Sequence, residues 1–108
     1  MKIATFERAK SQSIRGNYDF AKELFEECKE EGKNNIYAMI EVSIIDIIKG
    51  DISSAKENID YCMNNSRLRT LEYLKELDTF RKRNSNVQTN SEFMLYIDGL
   101  EKLQDIIN

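Results

Sequence analysis

Histidine, proline and tryptophan are absent from this 108-residue chain, which has only four glycines and two cysteines. Without histidine, the chain lacks the side chain that most often acts as a general base near neutral pH. Neither a glycine-rich phosphate-binding loop nor a Gly-x-Ser-x-Gly nucleophile motif occurs. Zinc would have only Cys28 and Cys62 as thiolate ligands, without chelating spacing. We therefore expect no catalytic residue, metal site or cofactor, and a protein that is not an enzyme.

The lack of proline and the scarcity of glycine favour helices along the whole chain, because helices tolerate these two residues least. No apolar run is long enough to cross a bilayer, and the N-terminal residues lack the uninterrupted apolar stretch of a signal peptide. The net charge is only −3, so the overall field favours neither nucleic acid nor an anionic membrane. These features predict a single all-α domain over residues 1–108, in the cytoplasm, with no membrane partner.

A cationic run, Arg81-Lys82-Arg83, has two interpretations. It could contact phosphates, or it could lie at the end of a helix, where the helix dipole favours cations. No aromatic residues alternate with it, as they do in proteins that bind single strands. A nucleic-acid partner is therefore not expected.

Identical residues recur 34 positions apart. Aligning residues 2–35 with 36–69 gives eight identities. They are Ala4/Ala38, Glu7/Glu41, Ile14/Ile48, Gly16/Gly50, Ala21/Ala55, Lys22/Lys56, Glu23/Glu57 and Cys28/Cys62. A fixed period of this length is typical of helical hairpins that stack on one another, because one such unit cannot bury its apolar face alone.

Within each unit the residues have coupled roles. Gly16 and Gly50 suit a tight turn with positive φ, and the Asn or Asp that follows can cap the next helix. Ala21 and Ala55 allow two helices to approach closely, and the large apolar residue four positions later fills the space between hairpins. The two cysteines suit a close helix contact; the alternative, a redox pair, requires a Cα separation that adjacent units do not provide.

This pattern resembles the tetratricopeptide repeat, whose motif combines a small residue in the first helix, a turn glycine, an aromatic residue, and then small, large and small residues in the second helix. Residues 2–35 carry it as Ala9, Gly16, Tyr18, Ala21, Phe25 and Cys28. Residues 36–69 carry it as Ser43, Gly50, Ile52, Ala55, Ile59 and Cys62. The chain departs from the family at Arg8, Asp46, Lys33 and Arg67. The resemblance implies an α-solenoid of antiparallel hairpins with right-handed stacking.

In residues 70–108 the motif fades, and Asn84 stands where the period expects glycine. Apolar residues nevertheless recur at helical spacing in 67–83 and 93–107, and Thr89 to Glu92 have the spacing of a capping box. We expect this divergent pair to complete six helices in three stacked antiparallel hairpins.

The third helix, residues 36–49, is apolar around almost its whole circumference. Ser43, Asp46 and Gly50 are expected to form a narrow stripe facing solvent, with a buried Asp46 carboxylate as the alternative. In the tetratricopeptide family, one side of each first helix lines a concave groove that binds partners. The resemblance places this partner-binding groove at Ile3, Phe6, Lys10, Ser13, Tyr37, Ile40, Ile44, Ile47 and Ile48.

An apolar surface this large is rarely left to water. A bound protein segment, a second copy of the chain, or the last helix folding back could cover it. The first option makes the chain an adaptor or regulator that binds a protein or peptide, and the second makes it a homodimeric scaffold. A third hypothesis, compatible with the Ile-, Asn- and Lys-rich composition, is a small inhibitor of a host protein encoded by a phage or mobile element.

Overall fold

The computed structural model describes residues 2–28, 32–84 and 91–108. Six α-helices make up nearly all of these ranges, and no strand occurs within them, which confirms the all-α prediction. The helices are α1 (Lys2–Ile14), α2 (Tyr18–Glu27), α3 (Gly32–Ile48), α4 (Ile52–Asn65), α5 (Arg67–Arg83) and α6 (Ser91–Ile107).

The turns after α1 and α3 are built in the same way. Gly16 has a φ of 90° and Gly50 a φ of 88°. After α1, the amide of Asn17 donates to the carbonyl of Gln12 at 2.9 Å, and after α3 the amide of Asp51 donates to Asp46 at 2.7 Å. This six-to-one bond is the Schellman ending of a helix, in which glycine provides the left-handed residue without a Cβ clash. The identical turns explain why α1/α2 and α3/α4 each form a tight antiparallel hairpin.

The residues that follow these two glycines differ in function. The Asp51 carboxylate accepts the Ser54 amide at 3.1 Å and caps α4. The Asn17 side chain does not cap α2. Its side-chain amide Nδ2 instead donates to Gln12 Oε1 at 2.7 Å. The predicted capping role therefore holds for the second unit alone.

The repeated small and large residues lie in the core, as the sequence predicted. Ala21, Ala55, Phe25 and Ile59 are all buried. So are both cysteines: Cys28 donates to the Leu24 carbonyl at 3.5 Å, and Cys62 approaches the Ile36 carbonyl at 3.9 Å. Burial raises the pKa of the Cys62 thiol to about 11, which keeps it protonated and unreactive near neutral pH. Their burial matches the packing interpretation.

The solvent stripe predicted on α3 is wrong, because Ser43 and Asp46 are buried. Asp46 accepts hydrogen bonds from Lys22 at 3.0 Å, Ser54 at 2.9 Å and Asn58 at 3.3 Å. Lys22 belongs to α2, and the other two donors belong to α4. Helices on both sides therefore enclose this carboxylate and provide its partners, and it is Gly50 that remains exposed.

Helix α6 is placed differently from α2 and α4. Those two pack chiefly on the helix that precedes them, whereas α6 packs mainly on α3 and touches α5 more lightly. The contact with α5 includes Phe80, whose ring lies 5.9 Å from Phe93 and 6.5 Å from Tyr96. Asn84 has a φ of −108°, so it does not repeat the glycine turn, and Thr89 and Asn90 of the predicted capping box lie outside the described residues.

Candidate functional site

Most of the residues predicted to line an open groove are inside the protein. Phe6, Ser13, Ile40, Ile44 and Ile47 are between 0% and 6% exposed. Lys10, Tyr37 and Ile48 are half-buried, and the side chain of Ile3 lies outside the described part of the chain. Of the three possible covers for α3, the structure shows the last helix folding back. The family-like groove is therefore filled within the chain: α6 covers Ile44 and Ile48, and Tyr73 of α5 covers Phe6 and Tyr37.

Gly99 explains how α6 comes so close to α3. A Cβ at this position would lie 3.0 Å from Ile48 Cγ1, 3.1 Å from Ile44 Cγ2 and 3.3 Å from the Ile44 carbonyl oxygen. These distances are shorter than ordinary van der Waals contact, so only glycine fits without a shift of α6 or of these isoleucine side chains. Around it, α6 buries Phe93, Tyr96, Ile97, Leu100 and Leu103.

A buried carboxylate lies where α3, α5 and α6 meet. Glu41 is 0% exposed and accepts the Tyr73 hydroxyl at 2.5 Å. It also accepts the Tyr96 hydroxyl, at 2.9 Å and 3.1 Å from its two oxygens. Burial raises the pKa of Glu41, opposed by the nearby Lys10 charge and the two tyrosine hydroxyls. Burial together with the adjacent Glu41 charge raises the pKa of both tyrosines well above the ordinary value.

This cluster was not predicted from the sequence. Glu41 is identical to Glu7 in the 34-residue alignment, yet Glu7 is exposed and Glu41 is fully buried. One signal was available, because a carboxylate in an apolar helix, such as Glu41, needs polar partners. Tyrosines in the last two helices could have been proposed as those partners. With both tyrosines donating to it, Glu41 ties three helices together.

Aromatic rings extend this cluster towards α1. Tyr37 stacks on Tyr73 with ring centroids 4.6 Å apart, and Phe6 lies 6.3 Å from Tyr73. The ammonium of Lys10 lies 5.7 Å from the Tyr73 ring and 5.8 Å from the Phe80 ring, within the range of cation–π attraction. Lys10 and Tyr37, both predicted groove residues, therefore make contacts within the chain.

An accessible groove lined by both apolar and polar side chains is found elsewhere, between α5 and the end of α6. Its volume is about 440 Å³. The residues that line it are Leu71, Leu74, Lys75, Asp78, Gln104, Asp105, Ile107 and Asn108. Leu68 lies one turn before Leu71 on α5 and is 71% exposed, while Leu71 is 41% exposed. We call Leu68, Leu71 and this groove the α5 face.

The α5 face differs from the other exposed apolar side chains. Phe20, Ile52, Tyr61, Met94 and Leu95 are each between 39% and 47% exposed. Partly exposed apolar residues of this kind are common on protein surfaces. The α5 face combines the most exposed leucine with an adjacent groove, which makes it the strongest candidate for a contact with another molecule.

The basic run at the end of α5 is largely engaged within its own helix. Asp78 pairs with Arg81 at 2.7 Å and with Lys82 at 3.1 Å. These charges hold the pKa of the Asp78 carboxyl below its ordinary value. All three cations occupy the last turn of α5, where the helix dipole favours them. This placement agrees with the second interpretation of the run.

Among the described residues, no group of three or more acidic or cysteine side chains is placed to hold a metal ion. In the same ranges, none of the helices has the length and apolar character needed to span a membrane. Comparisons with protein-family models, curated proteins and solved structures found no match. The α5 face must therefore be interpreted from its own geometry.

Proposed function

We propose that this chain is a non-catalytic protein-interaction module of tetratricopeptide-like build that binds a protein through the α5 face. Its mechanism is stoichiometric: Leu68 and Leu71 provide apolar contact beside a groove of mixed polarity, and the charges along α5 orient the partner. We place this activity in the cytoplasm, in keeping with the composition and the two buried thiols.

The observation that carries the proposal is the exposure of Leu68 beside a ready-made groove. A leucine that is 71% exposed contributes little burial to the fold of the isolated chain. Burying such a side chain is worth about 1.5–3 kcal/mol, which a partner could recover. The groove beside Leu71 has a volume of about 440 Å³.

The groove predicted from the family is a poorer candidate. A partner entering it would have to displace α6 and expose the five large side chains that α6 buries there. Each of these contributes about 1.5–3 kcal/mol by its burial, so displacement would remove much of the stability of the domain. The α5 face requires no such rearrangement.

The proposal can be tested with a photo-reactive amino acid at Lys75, on the rim of the groove, in the full chain expressed in its native cells. We expect light-dependent adducts with a protein of defined mass, which disappear when Leu68→Asp is added. The matched control places the same photo-reactive residue at Lys56, an exposed lysine on α4.

Two results would overturn the proposal. One is equal crosslinking from Lys75 and Lys56, which would indicate random encounters. The other is crosslinking from Lys75 that Leu68→Asp leaves unchanged, since the projecting leucine would then have no part in binding. Circular dichroism of each variant verifies that the helices remain folded.

A further inference from the structure

We draw no further inference here: the strongest candidate, the exposed surface of α5 around Leu68 and Leu71, carries none, because it belongs to the site already described and nothing in the described part of the chain shows which molecule covers it.

Discussion

Helices α1–α4 and helices α5–α6 show two ways of packing helices that are consecutive in the chain. In the first region each pair closes on itself through a positive-φ glycine, at Gly16 and Gly50. In the second region the turn glycine is replaced by Asn84, and α6 packs mainly on α3 instead of on α5. Two local features accompany the packing of α6 on α3: Asn84 in place of a turn glycine, and Gly99 within α6. The consequence is an internally filled groove and an exposed α5 face.

The largest effect is expected where α6 meets α3. Gly99→Leu would push a side chain into Ile44 and Ile48, where even a Cβ is crowded. Overpacking of this kind costs about 1–3 kcal/mol, and we expect a value near the upper end despite the better helix propensity of leucine. Urea unfolding followed by circular dichroism measures the loss.

The control for this variant is Asp98→Leu, which adds the same side chain at the exposed neighbouring position of α6. It should change the free energy of unfolding by much less. Equal stability of Gly99→Leu and the wild type would mean that α6 does not depend on close contact with α3, and the contrast between the two regions would fail.

An intermediate effect is expected from the pH dependence of the three-helix junction. Because the pKa of Glu41 is raised in the native state, the folded protein binds this proton more tightly than the unfolded chain. This contribution to stability is fully present below the ordinary value of 4.5 and is lost as the pH rises through the raised pKa. The lowered pKa values of Asp19 and Asp78 act in the opposite direction, and only below their ordinary value of 3.8.

Glu41→Gln should therefore flatten the fall in stability of the wild type between pH 4.5 and neutral pH. The amide has nearly the same shape and cannot ionise. Urea midpoints measured across this range provide the test. Glu7→Gln, the exposed equivalent in the first unit, serves as the control and should retain the wild-type slope. If the urea midpoints of the wild type and of Glu41→Gln changed with pH in the same way, protonation of Glu41 would not contribute to the packing of α5 and α6 on α3.

The smallest effect is expected from the residues that follow the turn glycines of the α1/α2 and α3/α4 hairpins. Asp51→Ala removes the hydrogen bond to the Ser54 amide and should cost about 1 kcal/mol, as loss of a helix cap usually does. Asn17→Ala removes only an exposed contact with Gln12, so thermal unfolding should show a clearly smaller change. If the two losses were equal, the equivalent residues would have the same function, and this difference between the hairpins would disappear.

Residue type and spacing predicted helices α1–α4 better than helices α5 and α6. The roles of Gly16, Gly50, Ala21 and Ala55 follow from residue type and a fixed period, and each lies where expected. The predicted solvent exposure of Asp46 on α3 was wrong. Its hydrogen-bond partners come from α2 and α4, and the periodicity of one helix does not show which other helices pack against it. The buried Glu41 and the exposed α5 face were missed for the same reason.

Composition and spacing along the chain were enough to predict the all-α character of the described residues, two glycine turns and a repeated core, since these depend on backbone preferences and on neighbours close in sequence. The position of α6, the burial of Glu41 and the exposure of Leu68 depend on which helices finally meet. Several apolar faces of similar character compete for the same neighbours, and the choice among them is made by shape complementarity, such as the space left at Gly99.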